Sequence, residues 1–419
     1  MYDTIFAEHY HKPAVALVNR GFVHDARSAA AGKGMPGARF VPQNVPCECT
    51  VPQKIDAGVQ EVVGDIIAAL TTPLKPEEVS PPARPSEVTR GTVFSGDLAE
   101  VQRFFYKRGW TDGLPILPPT REAVEEMLCG TDLPPDHVVG KMTPRLGKAT
   151  VEKIAINAIM AGALPTAMPL LIAGVDALLD PLSSFGIFEV STGSWAPFYI
   201  VNGPIREQLR INGSSGALSP GDLANATIGR AMGLIVKNLG GARKGLEDMG
   251  VLGNPAKYSM VLAENEEDSP WEPQHVQYGF EPDKSCLTVS FPNSYLQIVP
   301  RGTDDTGILG TIKDRLGSHW RQLTLLVCPS HAATLADAGW TKGKLIEHLE
   351  RTRSEVPTTG IGRLSGPEAV RIVVAGGPGA WIGVVMGVGR WVTKPVVLPG
   401  DWQRLVKKYR DYVPNYLQY

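Results

Sequence analysis

The sequence predicts a layered α/β protein of at least two domains, and three observations predict it. The 419 residues are 43% hydrophobic and 20% charged, the mixture of a chain that buries sizeable cores. Helical spacing of apolar residues alternates with short apolar runs along most of the length. Between residues 71 and 97 that alternation stops, and Pro73, Pro76, Pro81, Pro82 and Pro85 stand among few apolar residues.

The first unit reads in order as follows. A short helix is expected from Asp3 to about His11, with Phe6 and Tyr10 one turn apart, stopped by Pro13. The run Ala14-Val-Ala-Leu-Val18 then predicts a strand buried on both faces. A helix at 25–31 ends at Gly32 and Gly34, Ala38-Arg-Phe-Val41 is a further strand, and Ile55, Val59, Val62, Ile66 and Leu70 mark a closing helix. Parallel α/β units start from a strand on which the first helix packs, and this one starts from a helix. It therefore reads as an incomplete Rossmann-like unit over 1–72, with its first strand expected upstream of Met1 or on another chain.

Residues 73–97 read as a proline-rich linker, and 98–419 as a larger layered α/β domain that holds the substrate. Its helical patterns fall at about 97–108, 120–129, 150–163, 166–180, 222–239, 330–338 and 342–352, and its strand-like runs at 197–201, 258–263, 286–291, 323–328 and 370–375.

Charge and composition exclude several partners. Forty-one Lys and Arg nearly balance 43 Asp and Glu, and the basic residues are scattered, which disfavours nucleic acid and anionic membranes. The longest apolar run, 167–179, is broken by Asp176 and falls short of the roughly 20 residues of a membrane span. The first residues carry no signal-peptide pattern, so a reducing, cytoplasmic setting is expected. Five dispersed cysteines do not make a disulfide framework.

Several stretches carry more information than composition does. Tyr2-Asp-Thr-Ile-Phe-Ala-Glu8, Lys12-Pro-Ala-Val-Ala-Leu-Val-Asn-Arg-Gly-Phe22, Gly34-Met-Pro-Gly-Ala-Arg39 and Val45-Pro-Cys-Glu-Cys49 together resemble the UGSC family of proteins and selenoproteins, over roughly residues 2–78. Residues 100–419 resemble the uncharacterised region that accompanies such segments, notably at Gly109-Trp-Thr-Asp-Gly-Leu-Pro-Ile-Leu-Pro-Pro-Thr120, Ala224-Asn-Ala-Thr-Ile-Gly-Arg230 and Glu264-Asn-Glu-Glu-Asp-Ser-Pro-Trp271. The resemblance implies a selenocysteine or cysteine in a U/C-Gly-Ser-Cys motif just before the first helix, and this chain has no such motif. A thiol or selenol there would face the unpaired N–H groups and positive dipole end of a helix, which stabilise its reactive anion.

The candidate site residues follow from local chemistry. Cys47 and Cys49, one residue apart, are either a redox pair, two ligands for a soft metal, or reduced loop cysteines. His9 and His11 point apart on a helix, and no histidine pair has zinc spacing, so no metal centre is expected. Asp112 closes an Asx turn or serves as a general base. Asn202 and Glu264 follow strand-like runs, where open α/β sheets bind ligands, and Glu264 is the candidate general base of its acidic stretch. Asp222 is expected to cap a helix in which Asn225, Gly229 and Arg230 share a face, and Arg230 must reach solvent, pair with an acid, or bind a substrate carboxylate or phosphate. Gly376-Gly-Pro-Gly379 after a strand fits no nucleotide-binding pattern, so no nucleotide cofactor is inferred.

Three functions remain open at this level. The first is a small-molecule oxidoreductase whose thiol or selenol lies upstream of Met1 or on a small partner subunit. The second is a lyase or hydrolase working by acid–base chemistry in the large domain, and the third is a non-catalytic partner or homo-oligomer subunit.

Overall fold

The computed structural model describes residues 1–79, 91–316, 320–352 and 365–413. The chain opens with α1 (Tyr2–His9), β1 (Ala16–Asn19), α2 (Val23–Gly32), β2 (Phe40–Gln43), α3 (Pro52–Thr71) and α4 (Pro76–Val79). The two strands run parallel, Ala16 beside Phe40 and Asn19 beside Gln43. Alanine sets the spacing here. Ala26 and Ala30 of α2 are small enough to lie against Ala16, Val18, Ile5 and Ala38 in two small cores. The 14–18 run does not make a strand buried on both faces: Ala16 and Val18 are buried, but Leu17 is 47% exposed. No helix of the unit covers that side, and the alternation of a pleated strand leaves Leu17 in solvent.

The first part of the proline-rich stretch folds back on this unit. Arg39 bonds both carboxylate oxygens of Glu78, at 3.1 and 2.9 Å, and the carbonyls of Ala69, Thr72 and Pro73. Pro81, Pro82 and Pro85 lie outside the described residues.

The large domain begins with α5 (Leu98–Lys107), started by a capping box between Asp97 and Glu100, and α6 (Arg121–Leu128). A hairpin of β3 (Val138–Met142) and β4 (Gly147–Thr150) leads into α7 (Val151–Ala161), α8 (Met168–Leu179) and α9 (Phe185–Phe188). Next come β5 (Phe198–Asn202), α10 (Ile205–Gln208), α11 (Leu223–Ile235), β6 (Val261–Ala263), α12 (Gln274–Gln277) and β7 (Cys286–Ile298). The rest is α13 (Asp305–Leu316), β8 (Gln322–Val327), α14 (Pro329–Asp337), α15 (Lys342–Arg351), β9 (Val370–Val374), β10 (Ile382–Pro395) and α16 (Trp402–Tyr409). Asp222 stands at the start of α11 without capping it, because its carboxylate accepts from Asn212 Nδ2 at 2.9 Å. Beyond Ile235 the expected helix widens into a π turn and ends at Gly241, whose φ is +75°.

Six strands form one mixed sheet in the order β6-β5-β7-β10-β8-β9. Each half repeats one plan: a strand, a helical crossover to a parallel outer neighbour, and a long antiparallel strand on the inner side. The long strands β7 and β10 pair with each other and join the halves. Alternate side chains divide two layers. Tyr199 and Val201 face the core made with α7, α8 and α11, and Leu323, Leu325, Val370 and Ile372 face a second core made with α13, α14 and α15.

Phe198, Ile200, Met260 and Leu262 turn the other way and meet Leu326, Val373, Ala375 and Val385. That inner cluster draws on both edges of the sheet because the sheet curls until its edges meet. Asn265, just past β6, donates its N–H to the Val374 carbonyl of β9 at 2.8 Å. The loop at 212–217 sews the same gap: Ala263 N–H donates to Asn212 O at 3.1 Å, and Gly376 N–H to Gly213 O at 2.8 Å. Among the described residues no helix is long and apolar enough to cross a membrane.

Close approach of α11 to the chain entering β6 depends on Gly229, where a Cβ would stand 2.8 Å from the Ser259 Cα and 2.2 Å from its Oγ. Gly229→Ala is expected to cost about 1–3 kcal/mol by overpacking, read as a lower urea midpoint at unchanged slope.

Candidate functional site

Glu264 and Asn202 meet where β5 and β6 end side by side. Both are fully buried, and Asn202 Nδ2 donates to Glu264 Oε2 at 2.6 Å. The same oxygen accepts the Gln274 N–H at 2.7 Å, and Oε1 accepts Lys342 Nζ at 2.9 Å. Lys342 is itself 3% exposed and donates also to the Glu272 carbonyl. Around this centre, Asn202 Nδ2 reaches Glu266, Gln274 Nε2 donates to Thr288, and Thr288 bonds Thr393. Arg206 closes the outer side with ion pairs to Glu266 and Glu267 and a bond to the Glu264 carbonyl. Both Glu264 oxygens are thus claimed by donors from β5, α12 and α15, which makes the carboxylate a clamp between the two halves of the sheet.

The remaining sequence-derived candidates lie apart from this centre. Asp112 and Arg230 are each other's partners: Nε to Oδ2 is 2.8 Å, Nη2 to Oδ1 is 3.0 Å, and Nη2 also bonds the Pro115 carbonyl. Asp112 Oδ1 accepts from Leu114 N–H as well, the Asx turn expected of it. The pair fastens the 110–115 turn to α11. Asn225 is 5% exposed, accepts from Asn212 N–H and donates to the carbonyls of Asn212, Ala217 and Val261. It holds the loop that sews the sheet edges together. Cys47 and Cys49 are free thiols on the N-terminal unit, Cys47 exposed and Cys49 half-buried. The glycine run after β9 packs on the sewing loop, since a Cβ on Gly377 would fall 1.7 Å from Ser215 Oγ.

A second polar group lies at the opposite ends of β5 and β6. Glu189 is 5% exposed, its carboxylate 4.0 Å from Lys257 Nζ, which binds Asp248 at 2.6 Å. Burial pushes the Glu189 carboxyl from the ordinary 4.5 to about 8, Lys257 pulling it down and Asp248 pushing it up. A carboxyl that is protonated at neutral pH, beside the Lys257–Asp248 pair, can donate a proton or a hydrogen bond to a substrate oxygen. The N-terminal unit docks next to this group. Ser28 of α2 bonds Glu247, the neighbour of Asp248, and Asp25 is pushed up to about 6 by burial and by Glu247, against the pull of the Met1 amino group.

In comparison with known proteins, no family model, no curated protein and no solved structure matches the chain.

Lys342 was not among the candidates, although its signal is present: it takes the first place of the buried stripe Lys342, Leu345, Ile346 and Leu349. Glu189, in the apolar stretch Phe185-Gly-Ile-Phe-Glu189, gives no sign in sequence of the burial that sets its proton affinity. Replacing Lys342 by Met strands a buried carboxylate and is expected to lower stability by about 3–5 kcal/mol, most of it recovered in Lys342→Met/Glu264→Gln; chemical denaturation of the three proteins checks this. For Glu189 the native state binds the proton more tightly than the unfolded chain. Its contribution to stability is therefore complete below about pH 4.5 and declines as pH rises through about 8. Melting curves across that window should show a decline in the wild type that is missing in Glu189→Gln.

Proposed function

We propose that this chain is a small-molecule enzyme, or the large subunit of one, in which a thiol or selenol presented at the N-terminal end of α1 works beside Glu189, Lys257 and Asp248. The observation that carries the reading is electrostatic. Ser28 of α2 bonds Glu247, Asp25 of the same helix feels Glu247, and Glu247 adjoins Asp248 of the Lys257 pair, so the N-terminal unit docks beside that pair. An anionic sulfur or selenium in this position would gain from the helix end and from the ammonium of Lys257. Glu189 would supply the proton that a reduced substrate oxygen or carbon takes up.

The β1–β2 sheet supports the other half of the reading. Each strand has one partner among the described residues, Leu17 is exposed, and Phe6 and Tyr10 meet with ring centres 4.9 Å apart, tilted by 54°, with both rings mostly in solvent. A further parallel strand ending at α1 would pair an open edge and cover apolar surface, as the UGSC resemblance requires. The acid–base role passes from Asp112 and Glu264, whose oxygens are occupied, to Glu189.

Native mass spectrometry of the protein isolated from its source tests the proposal. The expected product carries, on an extension or an associated chain, a cysteine or selenocysteine that iodoacetamide alkylates. If neither is found, acid–base chemistry of the lyase or hydrolase kind at Glu189 and Lys257 is the reading that stands, favoured by the raised proton affinity of Glu189.

A further inference from the structure

Among the described residues the best-enclosed arginines differ in their partners. Arg206 is paired with Glu266 and Glu267, and Arg230 with Asp112. Arg371 of β9 is 6% exposed and has no carboxylate oxygen within 4 Å among the described residues. Val370, Ile372 and Val374 face the outer core, so Arg371 stands with Val373 on the inner side of the curled sheet. Its guanidinium lies between two aromatic faces, 3.9 Å from the Tyr278 ring centre and 4.7 Å from that of Trp391.

Stacking does not complete this group. Nε and Nη1 of Arg371 and Nε1 of Trp391 are buried donors with no hydrogen-bond acceptor. The Glu264 carboxylate acts on Arg371 only through space, its oxygens being taken by Asn202, Gln274 and Lys342. Burial draws the guanidinium down to about 10, which leaves it charged at neutral pH. Cation–π contact returns only part of what a buried charge without a counter-ion costs. Buried acceptors without donors lie on the adjoining Glu264 centre: Asn202 Oδ1 and Gln274 Oε1.

We propose that Arg371, with the indole N–H of Trp391, anchors the carboxylate or phosphate group of a small-molecule ligand on the inner side of the curled sheet. A guanidinium suits such an oxyanion because its planar N–H fork matches the spacing of the oxygens, and aromatic faces fix its plane. Asn202 and Gln274 offer acceptors for a hydroxyl or amino group of the same ligand. The inference rests on the small-molecule reading and adds the charge that the molecule carries.

Calorimetric titration of the full chain with acetate and with inorganic phosphate, in a buffer free of other oxyanions, tests it without any partner thiol. Failure here would leave the thiol reading untouched, and a missing thiol would leave this site untouched. Binding of one anion is expected, with affinity at least tenfold lower in Arg371→Met, and the anion that binds names the ligand group. Absence of binding by both anions, or equal affinity in the variant, overturns the proposal. If Arg371→Met fails to fold, Arg371→Lys decides: a tenfold loss supports the fork geometry, and an unchanged affinity refutes it.

Discussion

A carboxylate cannot be placed at zero exposure unless donors are brought to both of its oxygens, and meeting that requirement for Glu264 organises the large domain. The donors come from the end of β5, the start of α12 and the first turn of α15. Because α15 belongs to the second half of the sheet and β6 to the first, satisfying one side chain draws opposite ends of the strand order together. The Asn265–Val374 bond and the 212–217 loop, held by Asn225, then finish the closure in backbone hydrogen bonds. The inner side of the sheet is enclosed as a result, and Arg371 is enclosed with it.

Much of the architecture was legible in sequence, and the exceptions have particular causes. Helices such as α5 and α15 announce themselves through caps and apolar stripes. Strand β10, central to the sheet, escaped because Gly383, Gly387 and Gly389 break its apolar run. Gly389 sits at φ +92° where a Cβ would strike the Phe188 ring, and the register shifts nearby. Helix α13 has weak periodicity, with glycines at 307 and 310, and the β3–β4 hairpin has little apolar alternation to show. The amphipathic stripe of α16, Trp402, Leu405, Val406 and Tyr409, is legible in sequence.

The polar residues divide differently. Asn202 and Glu264 each stand at a strand end, a position that depends only on chain direction, and the structure joins them in one hydrogen bond. Asp112 and Arg230 were each recognisable as charges needing an answer, but 118 residues separate them and nothing local reveals that each answers the other. Arg371 stands in the run Val370-Arg-Ile-Val-Val374 and reads as the solvent face of an edge strand. Only the curl of the sheet turns that face inward. Tertiary enclosure, which no window of sequence contains, decides which charges are ordinary and which carry chemistry.

The repeated plan of the sheet has a further consequence for how the molecule comes apart. Each half holds a strand, a crossover, a parallel edge strand and a long inner strand. Yet the position after β6 is an acid, Glu264, while the position after β9 is Ala375, and the ammonium that answers the acid stands on the other half. Because the charge pair is divided between the halves, neither can come away from the other without leaving a buried ion alone, which ties the sheet into a single cooperative unit.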